Sequence, residues 1–195
     1  MTQSAEPSKF ERLVDEITSI GKAWHAGPIV EYSRLNRQYI VKTLRDLEKP
    51  TGDKARSAII ISAGPSLYKN DILARIKRSN YTGTIIAIDG SYVRCIKASV
   101  EPDYVLTLDP HPTRVVRWFG DPDMERNLAG DDYFSRQDLD IAFRTNSLAE
   151  NQKNIELVNQ HGRGKRLIMC STGPPAVVQR TQDLGFDSYW WAPLV

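Results

Sequence analysis

The hydrophobic pattern of the chain changes near residue 57, and the two parts predict different structures. Residues 9–47 carry apolar side chains at the three- and four-residue spacing of helices. The pair Gly27-Pro28 interrupts this pattern, and because proline cannot continue a helix we predict two helices. Residues 48–56 are charged and include a proline and a glycine, which is typical of a linker. We therefore assign residues 1–56 to a helical segment with its linker.

From residue 57 onward, short β-branched runs alternate with helical stretches. Strands are predicted at 57–63, 84–88, 104–108, 166–170 and 188–191, with a further short strand at 140–144. Helices are predicted at 67–79, 91–99, 113–119, 152–159 and 175–184. Such alternation is typical of a parallel sheet with right-handed crossovers.

The predicted fold class is α/β, with an open, mostly parallel sheet in a Rossmann-like three-layer sandwich over residues 57–195 and an N-terminal helical appendage. The run 57–63 is almost entirely apolar, which predicts a strand covered on both faces. The sequence stops at Val195, directly after the last predicted strand, so either that strand is the last of the sheet or the domain is truncated there. We expect truncation, with a native polypeptide that continues.

Composition excludes several classes of protein. The chain has 195 residues, and 26 Lys and Arg against 24 Asp and Glu leave a net charge of +2, so neither nucleic acid nor a membrane surface is indicated as a partner. Its apolar runs are too short to span a membrane, and the first residues lack a signal-peptide core. The cysteines, Cys95 and Cys170, have no metal-ligand spacing. We expect a cytoplasmic domain.

Two strand-to-helix joints hold the first candidate site residues. Gly64, Pro65 and Ser66 form a tight turn before a helix, whose free amides suit a phosphate; the alternative is a capped turn without a ligand. Asp89 and Gly90 end the second predicted strand, where an acid could hold a ribose hydroxyl or a metal-bound water. The alternative there is a helix cap.

Two further joints complete the set. Asp109 ends the third predicted strand and is a natural Mg²⁺ ligand, while His111 could contact a phosphate or act as an acid or base. The alternatives are a turn residue and a plain loop residue. Thr172 and Gly173 follow the fourth strand and could contact a base or sugar. The four joints share one sheet edge, which indicates a nucleotide or diphosphorylated ligand with Mg²⁺.

Three segments in this order also carry a family resemblance. Residues 58–67, 85–90 and 101–109 resemble the 6-hydroxymethylpterin diphosphokinase MptE-like family, and the similarity extends over about residues 57–195. That family includes archaeal pterin diphosphokinases and the central domain of bacterial motility-associated glycosyltransferases. The Asp-Gly and Pro-Asp elements are also similar to thiamine pyrophosphokinase, and the Gly-Pro-Ser turn to bacterial sialyltransferases that use CMP-sugars.

The resemblance implies roles for individual residues. It implies nucleotide phosphates at Gly64, Pro65 and Ser66, a metal near Asp89 and Asp109, and a second nucleotide loop at Thr172-Gly173. The chain departs from the family in two places. Its second loop reads Ser-Thr-Gly-Pro-Pro rather than a run of glycines, and the family's Gly-x-Asp turn after the last strand is absent.

The function implied first is a Mg²⁺-dependent transferase that moves diphosphate from ATP to a pterin-like alcohol, with the nucleotide and the acceptor as small-molecule partners. One alternative is glycosyl transfer from a CMP-activated nonulosonic acid, assisted by Asp109 or His111. A third is a non-catalytic binding or assembly module. A homo-oligomer and a larger parent chain both fit this sequence.

Overall fold

The computed structural model describes residues 8–64, 66–130 and 141–193, and its centre is a parallel sheet. The strands are β1 (Ala58–Ile61), β2 (Thr84–Ile88), β3 (Tyr104–Thr107), β4 (Arg166–Cys170) and β5 (Asp187–Trp191). Among the described residues they form one five-stranded sheet in the order β1-β2-β3-β4-β5, and every neighbouring pair is parallel. The predicted α/β class with an open parallel sheet is confirmed.

Helices connect and flank these strands. The α-helices are α1 (Lys9–Asn36), α2 (Ser66–Lys69), α3 (Ile72–Arg78), α4 (Asp89–Lys97), α5 (Met124–Gly130), α6 (Ile141–His161) and α7 (Pro175–Asp183). Short 3-10 helices cover Arg37–Tyr39, Gly52–Ala55 and Val115–Phe119. Within the described ranges, no helix is long and apolar enough to cross a membrane.

The two faces of the sheet differ in how well they are covered. On one face Ala87, Val105, Leu167 and Met169 are fully buried under the helices. On the other face Ile60 of β1 is 64% exposed. The expectation that the first strand is covered on both faces is therefore wrong at Ile60. The reason is that β1 lies at the edge of the sheet, where an apolar run does not require two buried faces.

The prediction of two helices in residues 9–47 is wrong, because α1 passes through Gly27 and Pro28 without a break. Proline removes one hydrogen bond from a helix interior and does not always end it. At the carboxyl end of α1, the side chain of Asn36 donates hydrogen bonds to the backbone carbonyls of Ser171 and Gly173. Such contacts with the rest of the protein stabilise a helix that local preferences alone disfavour.

Three other local predictions are corrected. The helix predicted at 67–79 is interrupted at Asp71, whose φ of 49° is left-handed. The helix predicted at 113–119 is a 3-10 helix. The strand predicted at 140–144 is wrong, since residues 141–144 lie in α6; Asp140 lies outside the described residues. That run is short enough for either structure, and the longer helical pattern that follows it decides the outcome.

The chain between α1 and β1, which includes the predicted linker at residues 48–56, lies against the sheet. Thr43 forms a parallel bridge with Trp190 of β5, and the backbone amides of Trp190 and Leu44 donate to the carbonyls of Lys42 and Trp190 at 3.0 and 3.1 Å. Further along, the Lys54 ammonium donates to the carboxylate of Asp103 at 2.8 Å. Residues 42–54 thus contact β5 through Thr43 and β2 through Lys54, whose carbonyl accepts a hydrogen bond from the Thr84 hydroxyl.

Candidate functional site

The loop that follows β1 is in direct contact with the first turn of α4, which begins directly after β2. The hydroxyl of Ser91 donates to the backbone carbonyl of Ile61 at 2.5 Å and to that of Ile88 at 2.8 Å, so it joins the ends of both strands. A Cβ at Gly90 would lie 2.9 Å from the Cβ of Ala63, so this position requires glycine for packing. Because Gly90 has no side chain, the start of α4 can lie against Ala63 in the loop after β1.

Asp89 is the first residue of α4, and its side chain is held by two donors. Its Oδ1 accepts a hydrogen bond from the Gly90 amide at 2.6 Å, and its Oδ2 accepts one from the Thr107 hydroxyl at 2.9 Å. The residue is only 9% exposed. Burial raises the pKa of Asp89, these hydrogen bonds lower it in part, and the negative charge of Asp109 raises it further.

Asp109 and His111 form a compact turn after β3. The exposed carboxylate of Asp109 accepts a hydrogen bond from the His111 amide at 2.9 Å. The His111 Nδ1 accepts from the backbone amides of Thr113 and Arg114 at 3.3 and 3.2 Å. A neutral imidazole that accepts at Nδ1 carries its proton on Nε2. His111 is therefore a hydrogen-bond donor at Nε2, a suitable group for a phosphate oxygen.

The first predicted phosphate loop is open. A Cβ at Gly64 would have only the Ser66 hydroxyl within 4 Å, at 3.8 Å, and Ser66 itself is exposed. Pro65 lies outside the described residues. Because α2 is a single turn of four residues, any phosphate here would depend on individual amides and the Ser66 hydroxyl rather than on a long helix dipole. A pocket of about 250 Å³, lined largely by isoleucines of β1 and α3, opens beside the loop.

The loop after β4 is in a different environment. Thr172 is 4% exposed, and its hydroxyl is 3.0 Å from the Cys170 thiol. The Asn36 amide donates to the Ser171 carbonyl at 2.9 Å and to the Gly173 carbonyl at 2.8 Å. These groups are thus occupied by contacts within the protein. The predicted roles of Thr172 and Gly173 in nucleotide binding stay predictions.

The structure brings most of the predicted site residues to one sheet edge, where the strands have their carboxyl ends. The loop containing Gly64 lies beside Asp89, and Thr107 links Asp89 to the strand that precedes Asp109. Sequence analysis missed Thr107, although a polar residue in the apolar run 104–108 is a usable signal. It also missed Asn36. The hydrogen-bond partner of Asn36, Ser171, lies 135 residues away, so the sequence around Asn36 carries no sign of the contact.

The side chains at this edge that could contact a metal ion are carboxylates. In the part of the chain that the structure describes, no group of three or more His, Cys, Asp or Glu side chains could hold a metal. Mg²⁺ does not require such a group, because it is usually bound by one or two carboxylates together with water and substrate phosphates. The pair Asp89 and Asp109 supplies two carboxylates, and the charge of one already affects the other.

A comparison with known families matches part of the chain. Residues 33–120 match the family described as 6-hydroxymethylpterin diphosphokinase MptE-like, so the resemblance is confirmed over that stretch. The match starts at residue 33 rather than at 57, and it includes Asn36 and the segment along the sheet. It ends at residue 120, before the loop that contains Thr172. No curated protein and no solved structure matches the chain.

Proposed function

Since residues 33–120 carry the pattern of the MptE-like family, we propose that the protein is a Mg²⁺-dependent transferase that uses a nucleotide. The observation that carries the proposal is the pair Asp89 and Asp109 at the ends of adjacent strands. The charge of Asp109 raises the pKa of the buried Asp89 carboxyl, so a cation at this edge would offset the repulsion between them. The proposed reaction is transfer of diphosphate from ATP to a pterin-like alcohol.

In this reaction the acceptor hydroxyl oxygen bonds to the β-phosphorus of ATP. The bond from that phosphorus to the oxygen bridging the α- and β-phosphates breaks, AMP leaves with the bonding electrons, and the hydroxyl proton is released to water. The products are the diphosphorylated alcohol and AMP. Binding ATP and acceptor side by side would supply most of the rate enhancement, because the step needs alignment and charge neutralisation rather than a covalent intermediate.

The residues around the carboxyl ends of β1 to β3 have separate roles in this proposal. Asp89 and Asp109 would hold Mg²⁺, which when bound neutralises charge on the phosphates. The amides of the Gly64 turn and the Ser66 hydroxyl would bind phosphate oxygens. His111 is held by backbone amides on its Nδ1, so its Nε2 proton would donate to a phosphate oxygen. These hydrogen bonds would keep the diphosphate in line with the acceptor hydroxyl.

The test is binding of ATP, CTP and CMP, each with and without Mg²⁺, measured by calorimetry. We expect ATP to bind only with Mg²⁺, and Asp109→Asn to weaken that binding at least about tenfold, because it removes a cation ligand. Thermal unfolding should change little, since Asp109 is exposed. The matched control is Asp53→Asn, which removes an exposed carboxylate from an ion pair with Arg56 and should bind like wild type.

The other outcomes separate the alternatives. Binding of CMP or CTP independently of Mg²⁺ would contradict the diphosphokinase and favour transfer of a CMP-activated sugar. Absence of binding by every nucleotide would favour a non-catalytic module. Unchanged Mg²⁺-dependent ATP binding by Asp109→Asn would show that the cation lies elsewhere.

A further inference from the structure

Thr107 carries a buried hydroxyl that contacts Asp89, one of the two predicted metal ligands. It is the last residue of β3 and is 1% exposed. In the sheet register Ala87 pairs with Val105, so two residues further on Thr107 lies beside Asp89. On its other side Thr107 pairs with Met169 of β4. In the sheet register Thr107 therefore lies between Asp89 and Met169.

The hydroxyl of Thr107 fixes the carboxylate of Asp89. It donates to Oδ2 at 2.9 Å, while the Gly90 amide donates to Oδ1 at 2.6 Å. The two donors come from different elements, β3 and α4, and together they restrict rotation of the carboxylate. Each carboxylate oxygen has a second lone pair, so a carboxylate held in this way can still bind a cation.

We propose that Thr107 is a positioning residue for the cation site, an inference that rests on the proposed function. Its hydroxyl holds the Asp89 carboxylate in the orientation in which that carboxylate and Asp109 bind one Mg²⁺ together. Residues that orient a metal ligand in this way typically contribute tenfold or more to metal affinity. Thr107 ends β3, and Asp109 follows it by two residues in the turn after that strand.

Two substitutions at Thr107 test whether its hydroxyl positions Asp89. Valine has the shape of threonine without the hydroxyl, and serine keeps the hydroxyl. We expect Thr107→Val to weaken Mg²⁺-dependent ATP binding about tenfold, and Thr107→Ser to stay within about twofold of wild type. The measurement is calorimetric titration of the full chain with ATP at fixed Mg²⁺, well below the melting temperature. The control is Thr181→Val on α7, which removes another fully buried hydroxyl and should leave ATP affinity unchanged.

The outcomes distinguish this inference from the proposed function. If wild type does not bind ATP with Mg²⁺, the proposed function fails and the role of Thr107 fails with it. If wild type binds and Thr107→Val binds equally well, only the positioning role is overturned, even if that variant is less stable. If Thr107→Val does not fold, Thr107→Ala replaces it in the comparison with Thr107→Ser. Equal affinities of those two variants would then overturn the inference.

Discussion

The loops after β1 and after β4 share a Gly-Pro sequence before a helix, yet they differ in their surroundings. The first, at Gly64, has open space around it, and Ser66 is exposed. The second, at Gly173, is buried between neighbouring strands and the end of α1, where Asn36 binds two of its carbonyls. Sequence therefore predicts the turn, while the neighbours of each strand determine whether its polar groups are available to a ligand.

The largest expected effect comes from removing the contact that buries the second loop. Asn36→Ala would leave the carbonyls of Ser171 and Gly173 without their donor, at about 1–3 kcal/mol for each buried carbonyl. We expect urea unfolding to show this loss in the free energy of unfolding. The control is Gln38→Ala, because the exposed Gln38 amide also donates to a backbone carbonyl. Equal losses in the two variants would contradict a stabilising role for the buried contact.

An intermediate effect is expected when the same substitution is made in both loops. A Cβ at Gly173 would lie 3.0 Å from the Met169 sulfur and 3.1 Å from the Cys170 carbonyl, so Gly173→Ala should cost about 1–3 kcal/mol. At Gly64 the nearest such atom is 3.8 Å away, and Gly64→Ala should change stability by no more than about 0.5 kcal/mol. Chemical denaturation of both variants checks the contrast. A larger loss at Gly64 would reverse the comparison of the two loops.

The smallest expected effect is on the alkylation rates of the two buried thiols, Cys95 and Cys170. Burial raises the pKa of the Cys95 thiol to about 12, with a further contribution from the negative charge of Glu101, so very little thiolate forms at pH 8. We expect both Cys95 and Cys170 to react slowly with iodoacetamide in the native protein. Asn36→Ala should accelerate modification of Cys170, which ends β4 directly before the loosened loop, and leave Cys95 as the internal reference. Peptide mass spectrometry at timed intervals would detect this, and equal rates in the variant would argue against local opening of the loop.

Several parts of the fold were predictable because local pattern and final environment agree. The runs 84–88 and 166–170 are mostly apolar, end at turn residues, and become strands with the predicted bounds. The exposure of Ile60 was not predictable, since an apolar run does not reveal whether its strand lies at the centre or at the edge. The unbroken helix through Pro28 depends on contacts made elsewhere.

The candidate site also contains residues that the local sequence predicts and residues that only distant contacts explain. Asp89 and Asp109 were predicted to lie at the same sheet edge because parallel strands end there, and the Thr107 hydroxyl joins Asp89 to the strand that precedes Asp109. Asn36 gave no such signal, because its importance comes from a fold that brings α1 to a loop far along the chain.

That long separation affects how the protein folds. The hydrogen bond from Asn36 to Ser171 joins residues 135 positions apart, and the bridge between Thr43 and Trp190 joins similarly distant segments. Closing a loop of this length has a large entropic cost, so such contacts tend to form late, after local strand–helix units have assembled. Contacts absent from the folding transition state act mainly on the unfolding rate. The contacts between the end of α1 and the loop after β4 should therefore prolong the lifetime of the native state more than they accelerate its formation.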